Sequence, residues 1–202
     1  MKKKKNLFSF GTKAETLERL KEKINLDIFC RQFFFSFKDW SKERENILKH
    51  ILQNFVNERI VVRSSASTED NKNQSNAGAY LSILNILNSK KNVSKSVDNV
   101  FSSYKNLVSS DQVLIQPHIT NVSVSGVLTT KEIETYSPYY VIGYDDFSGK
   151  TNTITGGLKG KTIMVLKNKA SSLKSERFKK LINENKKIEK ITNNSNLDIE
   201  FC

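Results

Sequence analysis

Residues 59–86 read RIVVRSSASTEDNKNQSNAGAYLSILNI, and the rest of the chain is organised around them. Ile60, Val61 and Val62 are β-branched and apolar and make a short buried strand. The chain then turns abruptly polar with Arg63, Ser64, Ser65, Ser67 and Thr68. Glu69 and Asp70 follow, and an Asn-, Gln- and Ser-rich run leads to Ala77-Gly78-Ala79, where a missing side chain lets backbone approach a ligand. An Arg fork beside hydroxyls and free amides suits a phosphate, and adjacent carboxylates suit the magnesium that accompanies one. A surface turn with one buried Arg–carboxylate pair is the other reading of the same residues.

Composition bounds the answer. The 202 residues suffice for one substantial core or two small lobes, and 37% hydrophobic content fits a soluble globular protein. Met1 is followed by four lysines, but residues 6–13 supply no apolar segment of the kind a signal peptide needs, so a cytoplasmic protein without a membrane span is expected. Two cysteines, Cys30 and Cys202, make neither a disulfide framework nor a paired metal motif. Four of the excess positive charges lie in residues 1–5, and residues 159–190 carry eleven Lys/Arg against three Glu; together they account for the net +12. That basic segment has a single aromatic, Phe178, so it lacks the interleaved stacking residues of a single-strand binder, and a solvated helix face is expected rather than a nucleic-acid interface.

Thr12 and Glu15 have capping-box spacing, and Leu17, Leu20 and Ile24 recur on one face, so a helix is expected from about Lys13. Lysine in a first turn opposes the helix dipole unless an anion is shared there; a solvent-exposed lysine would carry little cost. Residues 31–37, RQFFFSF, read as a strand ended by Lys38-Asp39-Trp40. Ser41 is a candidate N-cap for a helix carrying Ile47, Leu48, Ile51, Leu52 and Phe55, on which His50 has no metal-spaced partner. After a polar linker, a further helix is expected over about 95–107.

The second half is β-rich. Val113-Leu114-Ile115-Gln116 is a buried strand that stops at Pro117, and residues 122–130 make the next. Residues 138–144 form another, turning through Asp145-Asp146-Phe147-Ser148-Gly149-Lys150 into a return strand over 151–155. Asp145 and Asp146 read as turn formers or as residues that orient substrate. Residues 171–191 are an amphipathic helix, and residues 197–201 a last strand. Alternation there puts Asp198 and Glu200 side by side on one face, which is what magnesium needs from two carboxylates and also what a solvent-facing strand looks like.

Arg63, Ser64, Ser65, Ala66, Glu69, Asp70, Ser75, Ala77, Gly78, Leu84 and Asn85 stand in the pattern of the phosphoenolpyruvate synthase and pyruvate phosphate dikinase family, and the chain resembles that family's N-terminal ATP-grasp nucleotide-binding domain. The resemblance implies an α+β, ATP-grasp-like fold with two lobes, about 6–110 and about 111–202, of mainly antiparallel sheets flanked by helices. It implies that Lys13 contacts phosphate, although Ala14 stands where the family has a second glycine. Arg63, as the catalytic residue, joins Lys13 on the phosphates, with Ser64, Ser65 and Gly78 lining the nucleotide. Gln116 and His118 flank the adenine hinge, where backbone makes most contacts, and Ser125, Gly126, Val127 and Thr129 floor the cleft, with Leu128 replacing the usual Phe. Asp198 and Glu200 would hold magnesium.

The activity so implied is ATP-dependent phosphoryl transfer, through a histidine on a separate phosphohistidine domain, to a small acceptor such as pyruvate or the amide of glutamine. The compact loops resemble the polysaccharide-associated glutamine kinase type. Neither the family's Gly-rich phosphohistidine motif nor the Gln-x-Arg-Pro strand after Phe201 occurs, so His118 is not expected to carry phosphate and a C-terminally truncated domain is expected. The competing expectation is a non-catalytic nucleotide- or nucleic-acid-binding module.

Overall fold

The computed structural model describes residues 8–24, 29–66, 70–71, 74–75, 81–158 and 160–202. It is α+β, with two four-stranded antiparallel sheets flanked by helices, consistent with an ATP-grasp-like fold. Two compact units are present, one of them Phe10–His118 and the other built on Ile119–Cys202. No described helix is long and apolar enough to cross a membrane.

In the first unit the elements run α1 (Lys13–Lys23), β1 (Phe33–Ser36), α2 (Phe37–Asn54), β2 (Arg59–Ser65), the two-residue strands β3 (Asp70–Asn71) and β4 (Gln74–Ser75), β5 (Ser82–Leu87), α3 (Lys90–Ser102) and β6 (Gln112–Pro117). The main sheet has the order β1-β6-β2-β5, and β3 pairs with β4. Because β6 is hydrogen-bonded along both edges, to β1 and β2, it belongs to this unit rather than with the β-rich second half. Ile60 and Val62 of β2 and Val113 and Ile115 of β6 alternate onto the face covered by Ile47, Leu48 and Ile51 of α2 and Val93, Val97, Val100 and Phe101 of α3. Trp40 completes this core and donates from Nε1 to Asp98 Oδ1 at 2.9 Å.

Asn85 has φ +59° and lies where two residues of β5 oppose one of β2, between the pairs Ile60–Ile86 and Val62–Ile83. Asn tolerates the left-handed conformation such a bulge requires, and Arg59 Nη1 donates to its carbonyl at 2.9 Å.

Two helix boundaries differ from the sequence expectation. α2 begins at Phe37, not after Ser41, because Ser36 and Asp39 form a reciprocal capping box; Ser41 lies inside the helix and its hydroxyl donates to the Phe37 carbonyl. The helix bends at Glu43, whose φ/ψ are −128° and 30°. α3 is shifted to Lys90–Ser102, starting at once after Ser89, so that Val93 and Val97 can reach the core.

The second unit contains β7 (Ser125–Thr129), β8 (Tyr139–Asp145), β9 (Lys161–Leu166), a 3-10 turn (Lys167–Ser172), α4 (Glu176–Thr192) and β10 (Asp198–Phe201), with sheet order β10-β7-β8-β9. Leu128, Tyr140, Ile142, Tyr144 and Val165 face Phe178 and Ile182 of α4. Gly126 is required where β7 passes β8: a Cβ there would lie 2.1 Å from the Gly143 carbonyl oxygen. The strand that returns from β8 is β9, not residues 151–155, which are held as turns by bonds such as Gly156 N–H to Asn152 O at 2.9 Å and Gly157 N–H to Ile154 O at 3.0 Å. The long helix starts later than position 171 because the 3-10 turn precedes it, and it ends at Asn193 in the left-handed region, φ +50°.

Candidate functional site

Strand alternation divides the polar end of β2. Ile60, Val62 and Ser64 share the face of the helical core, whereas Val61, Arg63 and Ser65 share the opposite face. The register sets Gln116, Leu114 and Gln112 of β6 beside Val61, Arg63 and Ser65 in turn. On this second face lies α1, whose start is the capping box expected from Thr12 and Glu15. The Ala14 N–H donates to Ser65 Oγ at 2.9 Å, so the first turn of α1 is tied to the strand that carries Arg63. Lys13 opens this helix and is partly buried, as is Arg63.

Two glutamines that sequence reasoning passed over complete the attachment. Gln112 accepts from Thr12 Oγ1 at 2.6 Å and donates to Glu15 Oε1 at 2.9 Å, while Gln32 donates to the Ala14 carbonyl at 3.2 Å and to Glu18 Oε2 at 2.8 Å. Tyr104 braces the same strand ends, donating to the Gln112 carbonyl at 2.6 Å and accepting from the Ser65 N–H at 3.0 Å. Nothing in local sequence marks Gln112, since its partners are about a hundred positions away. Cys30 also lies near Arg63: burial raises its thiol pKa and the guanidinium partly offsets this.

The other expected residues are placed as follows. Ser64 is 2% exposed and faces the helical core, apart from Ser65. Gln116 is on the Arg63 face, two pairs along the ladder. His118 donates its backbone N–H to the Arg59 carbonyl at 2.8 Å, and its buried Nδ1 has no hydrogen-bond partner among the described residues. Gly78 lies outside the described residues, as do Glu69 and the Ala77-Gly78-Ala79 triplet.

In the second unit Ser125 is buried at the start of β7 and donates to the Lys150 carbonyl at 2.6 Å. Asp198 and Glu200 both face outward from β10, opposite Thr129 and Val127, while Ile199 pairs with Leu128 and Phe201 packs on the core. Two carboxylates on one strand face fit magnesium, which keeps several waters and takes one or two carboxylates besides phosphate oxygens. No group of three or more His, Cys, Asp or Glu suited to a metal occurs among the described residues.

Asp145 and Asp146 are engaged otherwise. The Ser148 and Thr153 hydroxyls, and then the Ser148 and Phe147 N–H groups, hold the Asp145 carboxyl well below the usual range. Asp146 pairs with Lys161 at 2.8 Å and Arg177 at 2.9 Å. A groove of about 510 Å³ runs between β9 and residues 172–175, on elements that carry none of the expected site residues.

A search for similar curated proteins finds no match. Residues 12–111, from the N-cap of α1 to the residue before β6, match the model of the family described as pyruvate phosphate dikinase, AMP/ATP-binding domain, and this match supports that family for the chain.

Proposed function

We propose that this chain binds Mg-ATP as the nucleotide-binding part of an ATP-dependent phosphotransferase of the phosphoenolpyruvate synthase type, its two units serving as the two lobes. The observation that carries the reading is the gathering of Arg63, Ser65 and Gln116 on the sheet face where the first turn of α1, with Lys13, is bonded to Ser65. A cation on a strand beside a helix N-terminus is a phosphate-binding chemistry, because amide dipoles and guanidinium act on the same anion.

In this reading Lys13 and Arg63 neutralise the phosphates, Ser65, Gly78, Gln116, His118 and Ser125 line the nucleotide, and Asp198 and Glu200 hold magnesium, while Ser64, expected among the lining residues, is turned into the helical core. Phosphoryl transfer needs mainly positioning and charge neutralisation, which these residue types supply. The phosphoryl group would pass through a histidine on a phosphohistidine domain to a small acceptor, pyruvate or an amide such as that of glutamine. The family match covers Lys13, Arg63, Ser64, Ser65 and Gly78; the roles of Gln116, His118, Ser125, Asp198 and Glu200 rest on the motif resemblance and on their placement.

Calorimetric titration of the 202-residue chain with a non-hydrolysable ATP analogue, with and without magnesium, tests this. Saturable, magnesium-dependent binding that Arg63→Ala abolishes is the expected result. A folded chain that does not bind the analogue overturns it. A non-catalytic polyanion-binding module is the second reading, favoured by the outward-facing Lys180, Lys186, Lys187 and Lys190 of α4. It predicts salt-dependent affinity for random oligonucleotides that Mg-ATP does not displace and that Arg63→Ala leaves unchanged.

A further inference from the structure

We infer that Gln112 is a positioning residue for the nucleotide: it holds the first turn of α1, and with it Lys13, in register over the Arg63 strand. The inference rests on the nucleotide reading above and adds a residue to it. Three observations carry it. Both ends of the Gln112 amide are spent on α1, the oxygen accepting from the N-cap hydroxyl of Thr12 at 2.6 Å and the nitrogen donating to Glu15 Oε1 at 2.9 Å. Those two residues are the capping box itself, so Gln112 grips the pair that closes the helix start on either side of Lys13. Gln112 is also the ladder partner of Ser65, whose hydroxyl accepts from the Ala14 N–H, and its own carbonyl is fixed by Tyr104.

An amide suits this position and its acid does not. Glu15 already pairs with Arg19 at 3.1 Å and bonds the Thr12 backbone N–H through the same oxygen, leaving Oε1 to be met by a donor. Glutamine meets it while accepting from Thr12; a carboxylate there would set like charges against each other beside the cation that the phosphates need. Since α1 is only eleven residues long and frays readily alone, its first turn depends on such tertiary bonds for a fixed position.

The experiment uses the full chain with two substitutions at Gln112, Gln112→Met, which keeps length without the amide's donor and acceptor, and Gln112→Glu, together with Lys13→Met. Binding of the non-hydrolysable ATP analogue with magnesium is measured for the wild type, Lys13→Met, Gln112→Met and the double variant, and amide hydrogen exchange is followed without nucleotide. The expected result is about tenfold weaker binding for Gln112→Met, with Lys13→Met costing much less in that background than in the wild type. Faster exchange at the start of α1 with β2 and β6 still protected is expected alongside it. Gln112→Glu should bind poorly at neutral pH and recover relative to wild type as pH falls and the new carboxyl takes up a proton. Equal Lys13→Met factors in both backgrounds, or unchanged exchange in α1, overturns the inference while leaving ATP binding intact. Absence of binding by the folded wild type overturns the nucleotide reading and this inference with it.

Discussion

The two four-stranded sheets treat polar residues in opposite ways. The first carries α2 and α3 on one face and α1 on the other, so Leu114, on the α1 side, is fully buried and Arg63 beside it is partly buried. The second packs one face on α4 and the 3-10 turn; among the described residues its other face is more open, met by Ile154 at Gly143 and carrying the exposed Asp198 and Glu200 and the 53% exposed Met164. A cation held under a helix is positioned by tertiary bonds and sits in a lowered dielectric, which strengthens its hold on an anion. Carboxylates on an exposed strand face stay in contact with solvent, where water screens their charge.

The largest expected effect lies where the second sheet is tightest. Gly126→Ala places a methyl group against the Gly143 carbonyl oxygen and should cost about 3 kcal/mol or more, measured by urea unfolding. The covered and open faces can then be compared directly. Leu114→Ala, under α1, should cost about 3 kcal/mol, whereas Val127→Ala, on the open face, should cost under about 1 kcal/mol. Equal costs would show that the second face is covered in solution.

A smaller effect is expected at Tyr140, whose hydroxyl donates to Glu189 Oε2 at 2.7 Å while Lys167 pairs with Glu189 at 2.5 Å. Tyr140→Phe should cost about 1.5 kcal/mol. Burial and the Glu189 carboxylate raise the Tyr140 pKa above its unfolded value, so its contribution is complete below about pH 10 and fades above it; the variant should lose that alkaline sensitivity in thermal melts. Asp198→Asn with Glu200→Gln should change stability by less than about 0.5 kcal/mol yet remove the magnesium dependence of nucleotide binding. The smallest is at Asp145, whose lowered pKa stabilises the turn above the usual carboxylate range. That stabilisation disappears as pH falls through the folded pKa, and Asp145→Asn should flatten this acid limb.

Much of the fold was legible because it rests on short-range rules. The Thr12–Glu15 capping box, the β2 strand, the Asp145 turn and the alternation of β10 each depend on residues within a few positions of one another. The start of α2 was misread because Ser36 and Ser41 are both plausible caps, and only the bond to Asp39 separates them. The return strand was misplaced because Thr-rich residues 151–155 have strand propensity but are held in turns, leaving the ladder to Lys161–Leu166.

At the site the division is sharper. Period-two alternation along β2 already distinguishes Ser64 from Ser65, but it cannot say which face receives a helix; the packing of α1 does that, and it makes Ser65 the partner of Arg63. Residue type and order therefore establish strands, caps, turns and the presence of the cations and acids. Which of them share a face, and that Gln112 and Gln32 fasten the helix start, follows from bonds between residues far apart in the chain, whose partners no local pattern encodes.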